Sequence, residues 1–136
     1  MMLVHFPTAL FPMDLCCSVI HHFSGNASFI KASFYAMTGG VAGGWLAALF
    51  GIVDLLLVIE KKPDAFRKGL FHGSINTAVI LFYTLVLFSK FRLYPGLPPD
   101  SLMLIALKTL AVLALLVGNY LGGSLILKNK VAVEGE

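Results

Sequence analysis

Residues 34–59 read FYAMTGGVAGGWLAALFGIVDLLLVI, and their reading decides the fold. A bilayer core of roughly 30 Å is crossed by about 20 apolar helical residues. This run exceeds that length with Asp54 as its only charge. A soluble surface helix would show one apolar stripe and a polar opposite face. The run has no such face, so it spans a membrane, and the basic stretch EKKPDAFRKG at 60–69 closes it.

Working outward, three more segments qualify or nearly qualify as spans, giving helices at about 3–22, 34–59, 70–89 and 102–127. The composition agrees: 58% of the 136 residues are hydrophobic and 12% charged, with mean hydropathy +0.88. That balance is one of a polytopic membrane protein and excludes a soluble globular domain. The linkers HFSGNASFIKAS, EKKPDAFRKG and KFRLYPGLPPD are short, so neighbouring helices run antiparallel. The expected architecture is all-α: one transmembrane domain over 1–136, an up-down four-helix bundle. The first segment has no basic leader and no Ala-x-Ala cleavage site, and it is read as a mature helix.

Side A denotes the face with both termini and the 60–69 loop. It carries Lys61, Lys62, Arg67, Lys68, Lys128 and Lys130, against Lys31, Lys90 and Arg92 on side B. The excess places side A in the cytoplasm. Basic loops beside anionic headgroups account for the pI near 9.0 without any nucleic-acid partner.

Two intramembrane carboxylates stand out. Asp14 lies nine residues beyond His5, about 13 Å along a helix, and a lone charge there costs roughly 2.5–3.5 kcal/mol. Lys108 sits at a matching depth in the fourth helix. The pair is expected to form a buried ion pair, either as a structural staple or as part of a proton path. Asp54 lies near side A, where the antiparallel order also brings His5, His72, Asn76, Asn119 and Tyr120. Pro12 is expected to kink the first helix. Cys16 and Cys17 read as small apolar filler. His21 and His22 read as interfacial, with a His/Met site involving Met37 or Met103 as the alternative. The glycine pairs Gly39/Gly43 and Gly40/Gly44, answered by Gly118, Gly122 and Gly123, admit a close neighbour, either a second helix or a flat ligand.

Two histidines on diagonal helices suit axial ligation of a haem, with Asp54 and Asn76 fixing the imidazole tautomers. A cofactor-free, hydrogen-bonded plug and a metal or proton pathway remain as alternatives. The available ligands are too few for zinc.

LVHFPTALFPMDL (3–15), GIVDLL (51–56), HGSIN (72–76) and GNYLGGSLILKNKVAV (118–133) resemble the DUF2231 family of four-helix membrane proteins. Met1-Met2 stands where that family often has His-Pro. The resemblance points to His5, Asp14, Asp54, His72, Asn76, Gly118 and Gly122. It is similar in layout to small b-type cytochromes, and some relatives are associated with Rieske proteins. It implies a membrane b-type cytochrome or haem-bearing subunit. In that reading haem b is held by His5 and His72, the glycines admit the macrocycle, and electrons pass to other redox subunits or a quinone. The alternative is a cofactor-free accessory subunit of a larger membrane complex. Transport through Asp14 and Asp54 ranks third, for want of an inverted repeat.

Overall fold

The computed structural model describes residues 5–58 and 63–129. Lys61, Lys62 and Lys130 lie outside the described residues, as does the side chain of Lys128; of the side A cations, Arg67 and Lys68 are described, and both are exposed. Four helices follow one another: α1 His5–Ser24, α2 Ala27–Val58, α3 Pro63–Phe91 and α4 Leu102–Asn129. No strand occurs among the described residues.

The helix ends follow from local chemistry, and two differ from the sequence expectation. The stretch HFSGNASFIKAS, expected as a linker, is helical except at Gly25 and Asn26. Gly25 takes φ 66° and donates its N–H to the His21 carbonyl at 2.8 Å, the left-handed closure that glycine tolerates at a helix C-terminus. Asn26 then accepts the Ser28 N–H at 2.9 Å, capping α2 at once. α3 starts at Pro63 rather than near residue 70, because proline is well suited to a first helical turn. Ser101 caps α4 through the Leu104 N–H at 3.2 Å. Pro12 lies within an unbroken α1.

α1 packs on α2 and α4, and α3 packs on the same two, so α1 and α3 face each other diagonally. Phe6 lies against Gly43 and Leu10 against Gly39, so α1 and α2 run in opposite senses. A Cβ on Gly40 or Gly43 would stand 2.5 Å from Phe11 or Phe6. The glycines of α2 are therefore a seat for α1, and Gly44 performs the same service for Ile80 of α3. Between the alternatives of a helix and a flat ligand, a helix takes the place. Across the diagonal the Phe11 and Tyr83 rings stack at 3.9 Å with 1° between their planes. Met37, Val41, Val79, Ile80, Val112 and Leu115 complete the core around them.

α2, α3 and α4 are each long and apolar enough to cross a bilayer. α1, one of the segments expected to qualify or nearly qualify, is less apolar than these three. Its 20 residues still extend about 30 Å, and its aspartate is fully buried. α2, with 32 residues, outruns α1 towards side A. There residues 49–57 are exposed all round except for the half-buried Leu55, which touches Gly69 of α3.

Candidate functional site

The side B half of the bundle holds a polar cluster built from all four helices and one loop. Side chains on a helix lean towards its N-terminus, so Lys108 of α4 reaches back towards side B and the loop before it. Its three ammonium protons find three acceptors: Asp14 Oδ1 at 2.8 Å, Asp100 Oδ2 at 2.6 Å and Ser18 Oγ at 3.1 Å. Lys90, in the last turn of α3, pairs with the other oxygen of Asp100. Ser33 of α2 donates to Asp14 Oδ1 at 2.5 Å, and Ser18 lies 2.7 Å from Asp100 Oδ2.

Asp14 and Lys108 are fully buried, and the side chains of Lys90 and Asp100 are 6% and 3% exposed. Two cations and two anions leave the cluster neutral, which is how four ionised groups are tolerated away from water. Compensation within it is uneven. Asp100 meets two lysines, whereas Asp14 shares one, and its Oδ2 is buried without a partner. Burial alone would push the Asp100 carboxyl up, but Lys108 and then Lys90 hold it below its ordinary value.

The sequence-level pair Asp14–Lys108 is thus half of a larger network. Asp100 and Lys90 escaped sequence reading because both sit at a span boundary, where charges are ordinary. The available signal was the spacing of Asp100 eight residues before Lys108, about two helical turns. A small cleft reaches the cluster from side B, lined by Ser18, His21, Ile30, Ser33, Lys90 and Asp100, with a volume of about 10 Å³.

The side A residues do not converge on one point. His72 is wedged on α4: its Nδ1 donates to the Gly118 carbonyl at 2.6 Å, and a Cβ on Gly122 would stand 2.7 Å from its ring. Asn76, one turn on, has its amide nitrogen 3.2 Å from His72 Nε2; its Oδ1 is the atom that a Cβ on Gly118 would strike, at 2.6 Å. Asn119 turns to α1 and donates to Thr8 at 2.9 Å. His5, Asp54 and Tyr120 are exposed. At the other end, His21 meets the Asn26 carbonyl and His22 packs edge-on against Phe23. Met37 is buried in the core and Met103 is 74% exposed.

This arrangement does not fit a haem held between His5 and His72. The notches at Gly118 and Gly122 are filled by Asn76 and His72 themselves, and Nε2 of His72 faces an amide. The Phe11–Tyr83 stack marks a common depth on α1 and α3. Counting from that stack, His5 lies six residues and His72 eleven residues towards side A, a difference in depth of about 7 Å along the helices. Among the described residues, no three His, Cys, Asp or Glu are grouped to hold a metal ion.

No curated protein and no solved structure matches the chain. A family described as a predicted membrane protein (DUF2231) matches residues 1–135, in accord with four helices of which three are apolar enough to span a bilayer. The chain belongs to the DUF2231 family of membrane proteins.

Proposed function

We infer that this chain is an accessory subunit of a larger membrane assembly, holding no haem of its own. The observation that carries this reading is the side A third of α2. Leu49, Phe50, Ile52, Val53, Leu56 and Leu57 are exposed on successive faces, and a Cβ on Gly51 would meet nothing within 4 Å. A helix at the rim of a finished bundle turns one face inward and another to lipid. This one turns almost no face inward, and Gly51 provides the small-residue notch at which a second transmembrane helix packs. Asp54, exposed on the same stretch, supplies a hydrogen-bond acceptor to such a neighbour.

The test uses the chain at its natural expression level, extracted from its own membrane in mild detergent. It should migrate in an assembly well above its own 14.7 kDa, and Gly51→Leu should release it while its helical circular dichroism is unchanged. Migration as a free monomer refutes the reading.

The redox alternative keeps one point in its favour. The Nδ1–H bond from His72 to the Gly118 carbonyl fixes the tautomer that leaves Nε2 as the ligand atom, the arrangement metal-binding histidines use. To ligate haem b, however, His72 would have to leave its glycine notch and the Asn76 amide. A reduced-minus-oxidised visible spectrum decides: a b-type band lost in both His5→Ala and His72→Ala restores the cytochrome reading, with its quinone or partner redox subunits. Its absence from protein made with ample haem removes that reading.

A further inference from the structure

We propose that Asp14 is a proton-exchange site open to side B alone, charged and discharged by water in the cleft at the end of the bundle. Three independent observations lead there. The first is the uneven compensation within the cluster. Lys108 divides its charge between Asp14 and Asp100, while Asp100 has Lys90 to itself. Asp14 Oδ2, fully buried, has no hydrogen-bond partner. A bare carboxylate oxygen in a dry interior is costly, and of the two carboxylates Asp14 gains more from taking up a proton.

The second is the route. Ser33 donates to Asp14 Oδ1 at 2.5 Å, and Ser18 lies 3.2 Å from Ser33. Both hydroxyls line the side B cleft. The cleft's volume, about 10 Å³, is at the lower limit for holding one water. The third is the barrier on the other side. One turn towards side A from Asp14, Phe11 and Tyr83 stack across the whole diagonal, with Met37 and Leu115 in the same apolar core. The site therefore has a door on one side and a plug on the other.

In the exchange step, hydronium in the cleft gives a proton to Ser33 Oγ and is left as water, as Ser33 passes its own proton to Asp14 Oδ1. One O–H bond breaks and one forms at the serine, which is regenerated. The carboxylate becomes a neutral acid, and the cluster moves from net zero to net +1. Lys108 keeps Asp100 and Ser18 as partners, so the proton loosens the hold of α4 on α1 without stranding an ammonium. The groups that face Asp14 from each packed element govern the exchange: Lys108 from α4, Ser33 from α2, Tyr83 and Lys90 from α3, Asp100 from the loop, and Ser18 and Cys17 from its own helix. His21, on the wall of the cleft, stands at the entrance.

The test is an infrared titration of the full chain in lipid nanodiscs. As the pH is lowered through the carboxylate range, a protonated-carboxyl C=O band should grow that Asp14→Asn lacks, and transfer to D2O should shift it at once. Ser33→Ala keeps all four charges and removes only the relay hydroxyl; it should slow the D2O shift by about a hundredfold, and it carries the test alone if Asp14→Asn fails to fold. Any of three results overturns the proposal: no Asp14-dependent band while the bundle stays helical, a band that resists D2O until unfolding, or an exchange rate unaffected by Ser33→Ala.

Discussion

Replacing Lys108 by methionine, close in volume and uncharged, tests how the bundle is held together. The substitution removes one ammonium and three contacts, at 2.8, 2.6 and 3.1 Å. If those contacts acted only as hydrogen bonds between membrane-embedded side chains, at an average of about 0.6 kcal/mol each, the loss would be about 2 kcal/mol. The substitution also leaves Asp14 fully buried with a serine as its sole side-chain partner. Stranding one member of a buried pair costs about 3–5 kcal/mol, so the uncompensated charge is the larger effect. The double variant Asp14→Leu/Lys108→Met restores neutrality and leaves Lys90 with Asp100; its loss should fall back to about 1 kcal/mol or vanish. Unfolding in mixed detergent micelles with rising dodecyl sulfate, followed by the fluorescence of Trp45, gives the three free energies. A Lys108→Met loss below about 1 kcal/mol, or a double variant as costly as the sum of its singles, refutes the reasoning.

Three further outcomes follow from the same geometry. Gly43→Leu forces a side chain into a seat where even a Cβ stands 2.5 Å from Phe6 and should destabilise by about 1–3 kcal/mol; Gly51→Ala, with nothing within 4 Å of its Cβ, should stabilise isolated protein by up to about 1 kcal/mol through helix propensity. Phe11→Ala removes a fully buried ring and its partner's stack, for a loss of about 3–5 kcal/mol in the same unfolding assay. The Asp100 carboxyl is held below its ordinary value by Lys108 and Lys90. Its contribution is therefore complete above the unfolded value of about 3.9 and is lost as pH falls through the lower folded value. Asp100→Asn should flatten the acid limb of a stability–pH curve measured by circular dichroism.

The sequence made the fold legible because span length and hydropathy are local properties, and the up-down order then follows from short connections. The helix ends were less legible. Gly25 and Asn26 act as a stop and a start within two residues, and polarity around them looks like a loop whether or not the backbone is helical. The Asp14–Lys108 pairing could be reached by matching depths. Asp100 and Lys90 could not, since their burial depends on how the KFRLYPGLPPD connector folds back over the bundle. On side A the reverse holds: a shared depth groups residues along the chain but says nothing of azimuth. His72 turns to α4, Asn119 to α1 and Asp54 outward. Of the glycines that admit a helix or a ligand, Gly43, Gly40, Gly118 and Gly122 are filled by Phe6, Phe11, Asn76 and His72, while a Cβ on Gly123 would meet nothing within 4 Å.

The meeting of Asp14 and Lys108 joins the first helix to the last, and that fixes when biogenesis can finish. As α1 leaves the insertion machinery, its aspartate enters lipid with no countercharge, and it waits through two further spans. α4 in turn arrives with a lysine whose transfer into hydrocarbon is unfavourable by roughly 2.5–3.5 kcal/mol until α1 is beside it. Each helix thus makes the other's insertion complete, and a chain released early retains an exposed mid-membrane charge by which membrane quality control can recognise it.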